Sequence, residues 1–449
     1  MTAHSNELRR SLGVRDVALL TIGATIGSGI FFVPGKVINS AGGSLLLSHA
    51  AWILGGVMAL SGALTFAELG ARRPDAGGMY VYIRDAFGRA PAFLFGWVIL
   101  LAIGGGTVAT LAVAFGDTAQ RLFALGPVES KALAVGAIVL LTLLNLGSAR
   151  ATAFLQGLTG AAKGGVLLFL AAIIVISASH LAGAAQPGAV AALPSAAATV
   201  PGFSAIVASL VAVLWAYEGW QTITYCSGEM RDPGYVMPRG FVLGVIGLVV
   251  IYVTVNAACA YGLGASGLSA SKQPVADALA AVGHENLASF VRVFVAFSIL
   301  GAAHASLFTD SRVIYAMALD GLFFAAFAKV SDKARIPQRA VLAIAVCAVV
   351  LALFNAFDAL LSLVVVASWF FVALAGAAIF VFRRREPEAN GLFRVPGYPV
   401  VPAIFVLSSG GVVVSSWFTG PPTARYGLIV MILGWAVFSV WTRSRASHG

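Results

Sequence analysis

The sequence predicts an all-α polytopic membrane protein of about twelve transmembrane helices, built from two inverted five-helix repeats whose helices 1 and 6 are discontinuous. Three observations carry this expectation. The chain is 59% hydrophobic with only 10% charged residues and a mean hydropathy of +0.94, well beyond the roughly 45–50% apolar content of soluble domains. Apolar windows of about 20 residues, the length of one spanning helix, recur along the whole chain. Two of these windows, five spans apart, are interrupted in the middle by glycine or charge. An odd number of spans per repeat forces the second repeat to run opposite to the first.

Turn and charge punctuation places the spans near 17-38, 45-69, 90-116, 132-149, 154-178, 203-228, 240-262, 288-317, 340-356, 359-382, 400-418 and 426-442. The expected organisation is an N-terminal segment 1-16, a first repeat 17-178, an outer loop 179-202 and a second repeat 203-382. An inner loop 383-399 and a final helix pair with the C-terminus at 400-449 complete it. The loop assignment rests on Pro187, Pro194 and Pro201, which with scattered Gly and Ser argue against a helix. Ala318 to Arg339 reads as an inner connection carrying a surface helix.

The net charge of +10 raises the question of nucleic acid or acidic partners. With the N-terminus inside, 21 of the 28 Lys and Arg residues fall on the inner face and six outside, with Lys163 in the membrane. That asymmetry is an orientation signal, so no nucleic-acid partner is expected. It favours a multi-pass protein of the plasma (inner) membrane with both termini in the cytoplasm, in contact with membrane lipid. Residues 1–15 are polar and carry no cleavable leader pattern. Cys226, Cys259 and Cys347 have neither disulfide nor zinc-site spacing, and no metal or cofactor is expected.

The first interruption is Ile26-Gly27-Ser28-Gly29. Backbone unwound at membrane depth persists only where protein or a polar cavity covers it, and the start of the second half-helix offers free N–H groups to an anion. An amino acid could place its carboxylate there and its ammonium on carbonyls near Ile26, Trp215 and Ala216. The competing reading is close helix packing through small residues. The second interruption is Trp215-Ala216-Tyr217-Glu218-Gly219-Trp220. Glu218 is an ionisable group where burial of charge costs about 2.5 kcal/mol or more; it either reads a cationic side chain, carries a proton, or pins the unwound segment. Tyr217, Trp215 and Trp220 are candidate gates or simple packing groups. Lys163 sits about 13 Å into its span, too deep to snorkel, and can donate to freed carbonyls of the first break in place of a bound cation. Ser298, Gly301, Ala302 and Ala305 form a small-residue face, with Ser298 a candidate partner of Lys163. His49 and His304 read as packing histidines.

At these residues the chain resembles the amino acid, polyamine and organocation transporter superfamily, and within it the L-type amino acid transporter branch. The resemblance covers Gly27-Ser28-Gly29-Ile30-Phe31, Phe66-Ala67-Glu68-Leu69-Gly70, Pro74 with Gly77-Gly78-Met79-Tyr80, Gln156 with Lys163, and Trp215 through Trp220. It continues at Pro233, Pro238, Asp310-Ser311-Arg312 to Met317, Arg383 to Pro387, and Phe393 to Pro396. It implies a leucine-transporter-like fold, alternating access, and sodium-independent movement of amino acids by exchange or proton coupling, with Lys163 at a sodium-site position. Animal members pair with a heavy chain through an outer-loop cysteine. The loop Gly116 to Lys131 has none, so no heavy-chain subunit is expected. Alternative readings are a carrier of polyamines or cationic amino acids and, from another class, a membrane nutrient sensor that binds without transporting. No paired carboxylates, nucleophile–base set or metal spacing supports an enzyme.

Overall fold

The computed structural model describes residues 10–27, 29–75, 77–147, 149–184, 203–331, 336–354, 357–387, 392–419 and 426–446. Among them the regular elements are helices, joined by short connections, with one isolated bridge between Leu12 and Met230. The order is α1 (Val14–Thr25), α2 (Gly29–Ser40), α3 (Leu45–Arg72), α4 (Met79–Phe87), α5 (Arg89–Val98), a π-helical turn (Ile99–Ile103) and α6 (Gly104–Phe123). There follow α7 (Pro127–Asn145), α8 (Ala149–Ala184), α9 (Phe203–Ala216), a 3-10 helix (Trp220–Glu229), α10 (Pro233–Ala270), α11 (Pro274–Ala281) and α12 (Glu285–Leu319). The chain ends with α13 (Gln338–Phe354), α14 (Phe357–Arg385), α15 (Val400–Thr419) and α16 (Tyr426–Ala446).

Eight of these helical stretches are long and apolar enough to cross a membrane, and the pair α1 and α2, bent by 54° at their break, adds a ninth. α7 and α8 turn Leu143, Leu144, Phe169 and Ile176 outward, and α15 and α16 do the same with Leu407, Val414, Ile432 and Trp435. Large apolar side chains on the outside of a helical bundle are the surface that hydrocarbon covers.

Local signals explain several boundaries. The Ser44 hydroxyl caps α3 by accepting from the Leu47 N–H at 3.3 Å. Asp232 caps α10 through the Tyr235 N–H, with Pro233 in the first turn, where its missing donor is no loss. Within the third span a π turn separates α5 from α6. Two expectations need correction. The segment 179-202 does not begin as a loop, because α8 runs to Ala184; nothing before Pro187 breaks a helix, and residues 185–202 lie outside the described set. The connection after α12 carries a four-residue 3-10 turn, Ala325–Ala328, rather than a surface α-helix, and residues 332–335 are outside the described set.

α1 is gripped on two sides by glycine faces. Gly240 and Gly244 of α10 sit against it so closely that a Cβ at either would come within 2.8 Å of Val17 or 2.7 Å of Thr21. Gly160 of α8 meets the Leu19 carbonyl and Gly23 in the same way. Small residues let backbones approach where lipid supplies no hydrophobic drive between helices. At one end of the bundle the fully buried Glu68 carboxylate accepts from Arg72 Nε at 2.9 Å, Arg383 Nη2 at 2.6 Å and the Val395 N–H at 2.7 Å. Around it Arg73 pairs with Asp85 at 2.9 Å and Glu386 at 2.5 Å, and Arg84 pairs with Asp320. The Arg73 guanidinium holds the Glu386 carboxyl below its ordinary pKa.

These pairs differ in burial, and their removal should differ accordingly. Glu68→Ala strands two guanidinium groups away from solvent and is expected to lower stability by about 3–5 kcal/mol. Glu386, 46% exposed, is screened, and Glu386→Ala should lower it by about 1 kcal/mol or less. Thermal melts of the two purified variants beside the parent check the contrast.

Candidate functional site

The first break begins where α1 stops at Thr25, which leaves the last carbonyls of the helix without intrahelical donors. Side chains from three other helices meet them. Lys163 of α8 donates from Nζ to the Ile26 carbonyl at 2.8 Å and to the Gly23 carbonyl at 3.2 Å. Ser298 of α12 donates to the same Ile26 carbonyl at 3.3 Å, and the Tyr252 hydroxyl of α10 donates to the Thr25 carbonyl at 3.1 Å. Lys163 and Ser298 are therefore joined through a shared acceptor. Lys163 is buried, with 3% of its surface exposed. The Gly27 N–H, one of the donors expected to be free, is taken up in a tight turn by the Thr25 carbonyl at 2.8 Å. Ser28 lies outside the described residues.

The second break follows α9. Glu218 N–H returns to the Trp215 carbonyl at 3.1 Å, and Gly219 has φ = 117°, a left-handed geometry that a side chain would strain. The Gly219 N–H is held by Gln221 Oε1 at 3.1 Å, and its carbonyl accepts from the Thr222 hydroxyl at 2.7 Å. The two breaks interlock. A Cβ on Gly29 would lie 2.6 Å from Cα of Ala216, and one on Gly219 would lie 2.9 Å from the Ala24 carbonyl oxygen. Glycine at these positions is therefore set by contact between two unwound segments about 190 residues apart in sequence.

A cavity of about 80 Å³ opens between the breaks. Gly27, Gly29, Trp215, Ala216, Glu218 and Gly219 line it, together with Thr107 and Ile103 from the third span and Ala302, Ser306 and Asp310 from α12. The close approach of α12 comes from its small-residue face: Ala302 would stand 3.4 Å from a Cβ on Gly27. The π turn that ends at Ile103 puts an extra residue into the wall, and such turns concentrate at functional sites. Ile26, expected to offer its carbonyl to the substrate, is buried and outside the cavity lining, and that carbonyl is taken by Lys163 and Ser298. Tyr217 packs away from the cavity against Trp52 and Tyr252 and donates to the Trp52 carbonyl at 3.3 Å. Trp220 likewise packs among Phe66, Phe241 and Phe405.

A second cavity, of about 780 Å³, lies toward the ends of α2 and α6, away from the Glu68 network. The same two helices run past both. Gly29, Phe32, Lys36 and Asn39 follow one face of α2, and Thr107, Leu111, Ala114, Thr118 and Arg121 one face of α6, from the central cavity into the larger one. This is the spacing of a single helix side. Among the described residues no cluster of metal-ligating side chains occurs.

Sequence reasoning missed Asp310 as a site residue, although an ionisable group inside an apolar span was signal enough. Tyr252 and the π turn left no such trace.

Residues 12–438 match the amino acid permease family. The chain is 28% identical over 458 residues to the Serine/threonine exchanger SteT of Bacillus subtilis, across the full length of both. It is 29% identical over 449 residues to the b(0,+)-type amino acid transporter 1 of Mus musculus, covering 97% of this chain and 90% of that protein. To the Large neutral amino acids transporter small subunit 2 of Homo sapiens it is 28% identical, covering 96% and 80%. With two interlocked helix breaks around a cavity and this match along nearly its whole length, the chain belongs to the amino acid permease family of membrane transporters and is not an enzyme.

Proposed function

We propose that the protein is a sodium-independent amino acid exchanger working by alternating access, in a leucine-transporter-like arrangement of two five-helix inverted repeats. The observation that carries this is Lys163: its ammonium occupies the carbonyls of Gly23 and Ile26, oxygens of the kind that would otherwise coordinate a metal cation. A side-chain donor held on those oxygens serves that role without an ion gradient. The substrate carboxylate binds at the start of α2, on the amides of Gly27 to Gly29, and displaces the short Thr25–Gly27 turn. Its ammonium faces carbonyls of the two breaks, and its side chain lies toward Trp215 and Glu218. Trp215, half-buried at the cavity wall, is the candidate gate.

Exchange rather than net flow is favoured by the likeness to a bacterial protein named as an exchanger. On this reading the unit is a single subunit without a heavy chain, seated in the plasma membrane with both termini inside, and the larger cavity is its outer vestibule.

In liposomes, uptake of labelled amino acid should require amino acid inside, proceed without sodium, and respond little to a pH gradient. Uptake driven by the pH gradient alone would replace exchange with proton coupling. Lys163→Ala should cut the exchange rate at least tenfold while the protein still inserts and runs as a single species on size exclusion; an unchanged rate would remove the cation-substitute role. Gly29→Val forces a side chain onto Ala216 and should likewise abolish exchange, which the same assay reads.

A further inference from the structure

The central cavity carries two carboxylates, Glu218 and Asp310, and no Lys, Arg or His among its described lining residues. The nearby cations are committed elsewhere. Lys163 is held by carbonyls of the first break. Arg312, two residues beyond Asp310, pairs with Glu229 at 2.7 Å and donates to the Phe308 carbonyl at 2.6 Å. Asp310 is 1% exposed; its Oδ2 accepts from the Ser306 hydroxyl at 2.7 Å, and its Oδ1 has only Thr309 at 3.5 Å. Glu218 has the Ser368 hydroxyl and the Trp369 indole N–H as neighbouring donors, while its buried Oε2 makes no hydrogen bond of its own among the described residues. A carboxylate has acceptor sites for about four hydrogen bonds, so both groups, which line the cavity, keep unused acceptor capacity.

Position along α12 gives the distance scale. Ala302, Ser306 and Asp310 recur every four residues on one face, all lining the cavity, and Ala302 abuts Gly27 of the first break. Eight residues of helix rise about 12 Å. Once the reach of the Asp310 side chain is subtracted, a small amino acid anchored by its carboxylate at the break falls short of Asp310, whereas an extended lysine or arginine side chain spans the gap. A buried carboxyl group without a counter-charge takes up a proton at membrane depth rather than stand ionised, and charge-assisted hydrogen bonds from a substrate cation favour the ionised form that accepts them.

We infer that Asp310, with Glu218 lining the same cavity, is a specificity-determining residue that accepts the cationic side chain of a dibasic amino acid in the central cavity. This rests on the transporter reading above and names its substrate class. A structural role is the rival: the Asp310 carboxylate also lies against Gly104, where α6 leaves the π turn.

Lysine and norleucine separate the two, since they share a backbone and chain and differ at the terminal ammonium. Purified protein is titrated with each while its thermal stability is followed, because ligand that binds the folded state raises the melting temperature. The same pair competes against labelled alanine in the liposome exchange assay. The parent should prefer lysine over norleucine by about tenfold or more, and Asp310→Asn should bring that ratio close to one, while Asp310→Glu retains it. A parent that prefers norleucine, or an Asp310→Asn variant that keeps the lysine preference, overturns the assignment. Lysine-selective stabilisation without any exchange would instead leave the inference standing and remove the transporter reading, so the two failures are distinct. Should Asp310→Asn not fold, Asp310→Ser takes its place with the same readout, and a lysine preference that survives it overturns the assignment.

Discussion

The structure depends on one constraint: polar backbone that leaves a helix inside a membrane must find partners within the protein. At the first break the freed carbonyls of Gly23, Thr25 and Ile26 are met by Lys163, Tyr252 and Ser298, from three different helices. Each of those helices must therefore stand within hydrogen-bond reach of one short stretch. The glycine faces of α8 and α10 make this possible, since Gly160, Gly240 and Gly244 bring both backbones onto α1. Packing and hydrogen bonding are thus one requirement here. Helices that could not approach would leave the carbonyls unpaired at a cost of several kcal/mol.

The buried ions follow the same logic with different outcomes. Glu68 and Arg312 are ions whose partners come from the protein itself, at 2.6–2.9 Å and 2.7 Å. Glu68 ties α3 to α14 and to the segment at Val395, and Arg312 ties α12 to the 3-10 helix through Glu229. Such pairs fix how elements sit relative to one another more than they add net stability. Asp310 and Glu218 differ in that no protein cation answers them among the described residues. The molecule places its ion-paired groups at the end of the bundle and below the second break, and two carboxyl groups without a protein cation, among the described residues, around the cavity.

Much of this was legible along the chain. Gly27 and Gly29 are neighbours in sequence, Glu218 and Gly219 likewise, and a defect inside an apolar run is visible without coordinates because the bilayer tolerates so few of them. Lys163 stood out for the same reason, and its distance from the helix end argued against snorkelling. The boundary of α8 was misjudged because the proline-rich stretch was taken to govern residues before its first proline. The π turn at Ile99–Ile103 has no compositional mark, being a run of ordinary apolar residues.

The sequence by itself determined that the chain is helical, membrane-spanning and broken twice, because hydropathy, glycine spacing and intramembrane charge are local properties that hydrocarbon makes decisive. Only the tertiary structure decided which carbonyl Lys163 meets, that Gly29 rests on Ala216, that Tyr217 points away from the cavity while Glu218 lines it, and that Asp310 joins Glu218 there. Those contacts link residues separated by about 90 to 190 positions. Their selection depends on which helix faces approach closely enough to touch, and that is settled by packing of the whole bundle rather than by any segment of it.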